Sequence, residues 1–204
     1  MRLILSSRDF RGSDSRACIL QNLPRPINEC RVLFLPNEKA TPEAIARGKY
    51  HSRLAEFGFS RDRITVFDRA RPEEFFGQPI DVIYASGGNT FSLLHAVRSG
   101  GFDRELARRI RAGAVYIGGS AGAHLVSQSI EHLQAIDPND AGVTDFRGLG
   151  LFRGVLVCHF SPERAALLER LRRESPWPVY ALGDGDSLVA DAEQIRLYGK
   201  SAQA

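Results

Sequence analysis

The stretch Ala114-Val115-Tyr116-Ile117-Gly118-Gly119-Ser120-Ala121-Gly122-Ala123 decides how this chain is read. Four residues of strand character run into two glycines and a serine, and Leu125-Val126 resume the apolar pattern beyond them. That is how a β-strand passes through a tight turn into a helix with the serine at the turn. The hydroxyl would then stand at the mouth of a sheet, flanked by residues small enough for a substrate to reach it. The N–H groups opening the helix would face developing negative charge. Ser120 is the candidate nucleophile. A plain connecting turn is the alternative reading, because Gly-x-Ser-x-Gly strings also arise by chance.

Outward from that stretch, apolar runs of strand length alternate with helical segments, the mark of an α/β chain whose parallel sheet has helices on both faces. Strands are expected at Arg2 to Ser6, Arg31 to Leu35, Arg63 to Phe67, Asp81 to Ala85, Ala114 to Ile117, Val155 to Cys158 and Val179 to Leu182. Ser187 to Ala190 and Ile195 to Tyr198 read as a terminal antiparallel hairpin. Thr41-Pro42-Glu43 opens a helix expected to run to Phe57, where Gly58 stops it. Thr90 to Arg98 forms another, and Asp103 caps one reaching Arg111. Ser161-Pro162-Glu163 repeats the earlier start, with its helix ending near Arg173. Residues 128–154 form the longest irregular stretch and are expected to border a site.

Composition narrows the function. The 204 residues, 43% hydrophobic and 25% charged, suit one domain over 1–204 with a sizeable core. Twenty-seven Lys and Arg against 24 Asp and Glu leave a net charge of +3, too even for a nucleic-acid surface. Arg104, Arg108, Arg109 and Arg111 accordingly read as a solvated helix face. The apolar start, Met1 to Leu5, is too short for a signal peptide and no stretch is long enough for a membrane span, so a cytoplasmic address is expected. Cys18, Cys30 and Cys158 lack disulfide or metal-ligand spacing, and Cys158 reads as a small buried side chain.

In sheets of this kind ligands gather at the carboxyl ends of the strands. Ser86-Gly87-Gly88-Asn89-Thr90, Gly119-Ser120, His159-Phe160 and Gly183-Asp184-Gly185-Asp186 all fall at such ends. A serine needs a base, and histidine is the usual one. His51 and His95 lie in expected helices, His132 in the irregular stretch, and His124 on the helix after Ser120, where it would line a pocket. His159 is the best-placed base. Asp184 or Asp186 would orient its ring, with Asp137 and Asp140 as further candidates. The backbone N–H groups of Gly88 and Ala121 would hold the oxyanion, and Asn89 would help position substrate.

Taken together, Gly87-Gly88-Asn89-Thr90-Phe91, Gly113 to Ala123, His159-Phe160 and Ala181 to Gly185 resemble the peptidase E family of serine peptidases, which includes the aspartyl dipeptidases and the cyanophycinases. The resemblance runs in order along nearly the whole chain. It implies a three-layer, mostly parallel, flavodoxin-like sheet similar to the class I glutamine amidotransferases. It implies peptide hydrolysis through an acyl-enzyme on Ser120 with His159 as base, without cofactor or metal. The partner would be a small peptide, perceived by a monomer or homodimer that engages neither nucleic acid nor membrane. Two departures stand out. The segment after the nucleophile helix is a few residues shorter than in aspartyl dipeptidases, leaving Gln134-Ala135-Ile136 where their proposed third triad member lies. The wider family has a glutamate after the penultimate strand where this chain has Asp184, one methylene shorter, so that contact with His159 would need a backbone shift or a water. Asp184 is the favoured third member. Gly119 stands where aspartyl dipeptidases carry a bulky aromatic, which widens the pocket and loosens any strict preference for N-terminal aspartate. A cyanophycinase-like β-aspartyl hydrolase and a non-catalytic binding protein of the same fold are the rival readings.

Overall fold

The computed structural model describes residues 1–8 and 13–199, with the side chains of residues 13 and 14 left aside. At its centre is a seven-stranded sheet built from β1 (Arg2–Ser6), β2 (Val32–Leu35), β3 (Ile64–Val66), β4 (Val82–Ala85), β5 (Val115–Gly119), β8 (Ser187–Ala190) and β9 (Ile195–Tyr198), in the order β3-β2-β4-β5-β1-β8-β9. The first five in that order run parallel, and β8 and β9 close the edge antiparallel as the expected hairpin. The strands are buried on both sides, which is why they read as continuous apolar runs. Side chains alternate between two cores. Leu3, Leu5, Leu33, Leu35, Ile83 and Tyr116 pack on one face with Phe91, Leu94 and Val97 of α4 (Thr90–Arg98) and Phe102, Leu106 and Ile110 of α5 (Phe102–Arg111). Ile4, Val32, Phe34, Val82, Tyr84 and Ile117 pack on the other with Cys18 and Ile19 of α1 (Ser13–Asn22) and Tyr50 and Leu54 of α3 (Lys49–Phe57). Three layers result.

Four expectations are corrected. β6 (Val155–Val157) and β7 (Val179–Ala181) do not join the central sheet; they pair with each other, in parallel, as a separate two-stranded sheet. The expected helix from Thr41 to Phe57 is two helices, α2 (Pro42–Ala46) and α3, because Gly48 sits between them at φ 73°, outside helical geometry. Asp103 does not cap α5, whose N-cap is Gly101. Arg109 is not solvated: only 6% exposed, it donates to Glu105 and to the carbonyls of Gln78 and Phe75. α7 (Ala165–Glu174) follows a single 3-10 turn at Pro162–Arg164.

The architecture gathers strand ends at one rim. The short helix α6 (Ala121–Leu125) leaves β5 there and lies close against β4, an approach only glycine permits at Gly122, since a Cβ would collide with the Ala85 carbonyl.

Candidate active site

Ser120 follows β5 and serves as N-cap of α6 in a backbone conformation, φ 48° and ψ −107°, that costs a residue with a Cβ about 1–3 kcal/mol. Such strain persists only where surrounding bonds impose it. Here the Ser120 N–H donates to the Ser6 carbonyl at 2.9 Å, and the His124 N–H donates back to the Ser120 carbonyl at 2.9 Å. The result is the outward-turned serine expected of a strand-turn-helix.

His159 follows β6, also at positive φ, 53°. Its Nε2 lies 3.0 Å from Ser120 Oγ and its Nδ1 2.5 Å from Asp184 Oδ1. The small sheet therefore carries base and carboxylate to the serine of the large one. Asp184 reaches His159 directly, without the intervening water its short side chain suggested. The turn that achieves this is pinned by Asp186, 4% exposed, whose carboxylate accepts from Gly183 N–H at 2.8 Å. Asp137 stands elsewhere, accepting from the Thr90 N–H at 3.3 Å.

Gly88, at φ 145°, lies under Asn37 and Glu38 beyond β2; a Cβ would come within 2.7 Å of Asn37 Cβ and 2.5 Å of Glu38 Oε2. Gly87 sits beside Ser120, a Cβ there meeting Ser120 Cβ at 3.4 Å. Asn89 is held by two hydrogen bonds within the protein. Its Oδ1 caps α4 by accepting from Ser92 N–H at 2.8 Å, and its Nδ2 donates to the Pro138 carbonyl at 2.7 Å, tying the irregular stretch to the rim.

Two cavities flank the Ser120–His159 pair. One of about 310 Å³ is lined by His124, Asp137, Arg164, Thr90, Leu133 and Ile136, so the irregular stretch does border the site. The other, about 280 Å³, is lined by Arg8, Lys39, Arg53, Asn37 and Glu38. Gly88, Ser120 and His159 face both. A larger cavity of about 630 Å³ beside His132 and Trp177 contains none of these three.

His124 is 5% exposed, with its ring beside the Leu156 backbone. Burial first, then the charges of His132, His159 and Arg164, hold it well below the ordinary histidine range, so it faces the cavity as a neutral ring. Arg164 donates to the Cys158 carbonyl at 2.7 Å, and no carboxylate pairs with it among the described residues. Cys158 is no rival nucleophile: burial pushes its thiol up to about 12. Among the described residues no group of three or more His, Cys, Asp and Glu could hold a metal, and no helix is long and apolar enough to cross a membrane.

Sequence reasoning did not single out Ser7, Arg8, Glu38 or Arg164. The signal was available for the first three, which follow β1 and β2 at the same rim.

The model of peptidase family S51 matches residues 3–198. An uncharacterized peptidase of Listeria monocytogenes serovar 1/2a is 37% identical over 83 residues, 40% of this chain and 40% of that protein. Peptidase E of Salmonella arizonae is 39% identical over 84 residues, 40% of this chain and 34% of the relative. These matched stretches span well under half the length of the curated relatives. The crystal structure of a candidate peptidase E from Listeria monocytogenes EGD-e superimposes with a TM-score of 0.74 at 21% identity, over 96% of both chains. That of a peptidase from an acI-B1 actinobacterium gives 0.65 at 15% identity, over 98% of this chain and 87% of the other. Both share the fold.

Proposed function

Because the chain belongs to peptidase family S51, we propose that it is a serine peptidase that hydrolyses short peptides, among them dipeptides with an acidic first residue, through an acyl-enzyme on Ser120. One observation carries the reading: Ser120 Oγ, His159 and Asp184 stand in line at 3.0 Å and 2.5 Å, with the serine held in a strained turn at the strand ends.

Asp184 accepts from Nδ1–H and so leaves Nε2 free to accept the serine proton. Ser120 Oγ attacks the scissile carbonyl while His159 takes that proton, then returns it to the departing amine. Water repeats the sequence on the acyl-enzyme with His159 again as base. The Gly88 and Ala121 N–H groups bind the oxyanion, each contributing about 3 kcal/mol to the transition state. Around the first residue, Arg164 matches an acidic side chain, Asp137 an α-ammonium, and neutral His124 supplies a buried polar ring. The cavity is built for a small charged residue rather than a long apolar one.

The test is turnover of Asp-X, Glu-X and neutral dipeptides by the wild type and Ser120→Ala. Cleavage is expected from the wild type, fastest with the acidic set, and none above background from the variant. Equal turnover by both proteins would end the serine mechanism.

A further inference from the structure

The end of β1 sends one tie to each of the three residues. The Ser6 carbonyl accepts the Ser120 N–H at 2.9 Å. Ser7 Oγ accepts the His159 N–H at 2.7 Å. The Arg8 guanidinium donates to Asp184 Oδ2 at 3.2 Å, while the other oxygen of that carboxylate faces His159 Nδ1. Three consecutive residues thus touch nucleophile, base and carboxylate, which arrive from three different strands.

Each tie falls where holding is needed. Among the described residues, Ser120 and His159 are the two non-glycine positions with positive φ, and their N–H groups are taken up by neighbouring residues of one strand end. Ser7 is fully buried, and its own N–H donates to the Asp186 carbonyl at 3.2 Å, linking it to the turn that bears Asp184. Asp184 has half its side chain exposed. A carboxylate in water rotates about its side-chain bonds unless both oxygens are engaged, and Arg8 engages the second.

We propose that Ser7 and Arg8 are positioning residues: Ser7 fixes where the His159 ring stands, and Arg8 fixes the rotation of the Asp184 carboxylate toward Nδ1. The proposal rests on the reading that Ser120, His159 and Asp184 do the chemistry. Arg8 also lines the 280 Å³ cavity, so a different role, gripping the carboxylate of the departing residue, must be told apart from positioning. Positioning acts on kcat whatever the leaving group. Gripping acts on KM and only where that carboxylate is free.

The experiment compares wild type, Ser7→Ala, Arg8→Ala and Arg8→Lys on a cleaved dipeptide and its C-terminal amide, with ¹⁵N shifts of the His159 ring read alongside. Arg8→Ala is expected to lower kcat by about 10- to 100-fold on both substrates with KM unchanged, and to turn the His159 ring from the Nδ1–H tautomer to a mixture. Arg8→Lys should restore part of each, because an ammonium keeps the charge but not the fork. Ser7→Ala should lower kcat likewise; if it fails to fold, the half-exposed Arg8 still decides the matter. Wild-type kcat and an unchanged tautomer in folded Arg8→Ala would overturn the proposal, as would a rise in KM confined to the free carboxylate. Should Ser120→Ala remain active, the peptidase reading fails by itself, and the tautomer, which needs no substrate, still tests the clasp.

Discussion

A carboxylate that orients an imidazole earns its effect by geometry, and here the two nearby candidates differ in geometry alone. Asp184 is within 2.5 Å of His159 Nδ1, whereas Asp137 is bonded to the Thr90 N–H at the opening of α4 and faces the 310 Å³ cavity. Asp184→Asn is therefore expected to lower kcat by about 10⁴-fold, because an amide favours the wrong ring tautomer. Asp137→Asn should leave kcat near wild type and raise KM for peptides with a free amino terminus. Steady-state kinetics on one cleaved dipeptide separates them, and a larger kcat loss in Asp137→Asn would reassign the orienting role. The strand end before Gly183-Asp184-Gly185-Asp186 left Asp184 and Asp186 both open, and the family resemblance favoured Asp184. What was not legible is how a side chain shorter than glutamate reaches the ring: the Asp186 carboxylate tightens the turn through Gly183 N–H, a bond that exists only once the turn has formed.

Helix α5 shows why charge pattern along an element is an incomplete guide to burial. Arg104, Arg108, Arg109 and Arg111 look alike in sequence, yet Arg109 faces the loop between β3 and β4 and closes two of its carbonyls. It shares Glu105 with Arg108, and those two guanidinium groups, Arg108 first, hold the Glu105 carboxyl at about 2. Arg109→Ala strands buried acceptors and is expected to cost about 3 kcal/mol. Arg108→Ala, on a side chain 63% exposed, should cost under about 1 kcal/mol. Urea unfolding of both variants checks the contrast; equal losses would show that Arg109 is not a structural clamp. The break between α2 and α3 is a milder case. Gly48 interrupted an otherwise helical pattern, and only its left-handed backbone reveals it as a boundary rather than a tolerated interior glycine.

For the whole molecule, acid is the revealing perturbation. His124 and His132 stack edge to face with ring centroids 5.8 Å apart inside the fold. Burial, more than the charges of Arg164 and Arg170, brings His132 from 6.5 to about 4. The unfolded chain thus binds protons before the folded one does, and stability falls as pH drops from about 6.5 toward 4, by up to about 1.4 kcal/mol per pH unit for each such histidine. Glu105 adds a second stage: its stabilisation is complete above about 4.5 and is lost as pH falls toward 2. Urea midpoints taken across this range should decline most steeply below about 6.5 in the wild type, with His132→Gln showing a shallower decline; parallel slopes would show that the histidine is not buried neutral. The amino-acid sequence determined by itself the alternation of strands and helices, the strand-turn-helix around Ser120 and the strand-end residues His159 and Asp184, because hydrophobic period and turn chemistry are local properties of the chain. Only the tertiary structure decided that β6 and β7 leave the central sheet, that Arg109 is buried, and that Ser6, Ser7 and Arg8 reach across to Ser120, His159 and Asp184. Those contacts join residues as many as 176 positions apart, and no periodicity along a chain encodes which distant segments will meet.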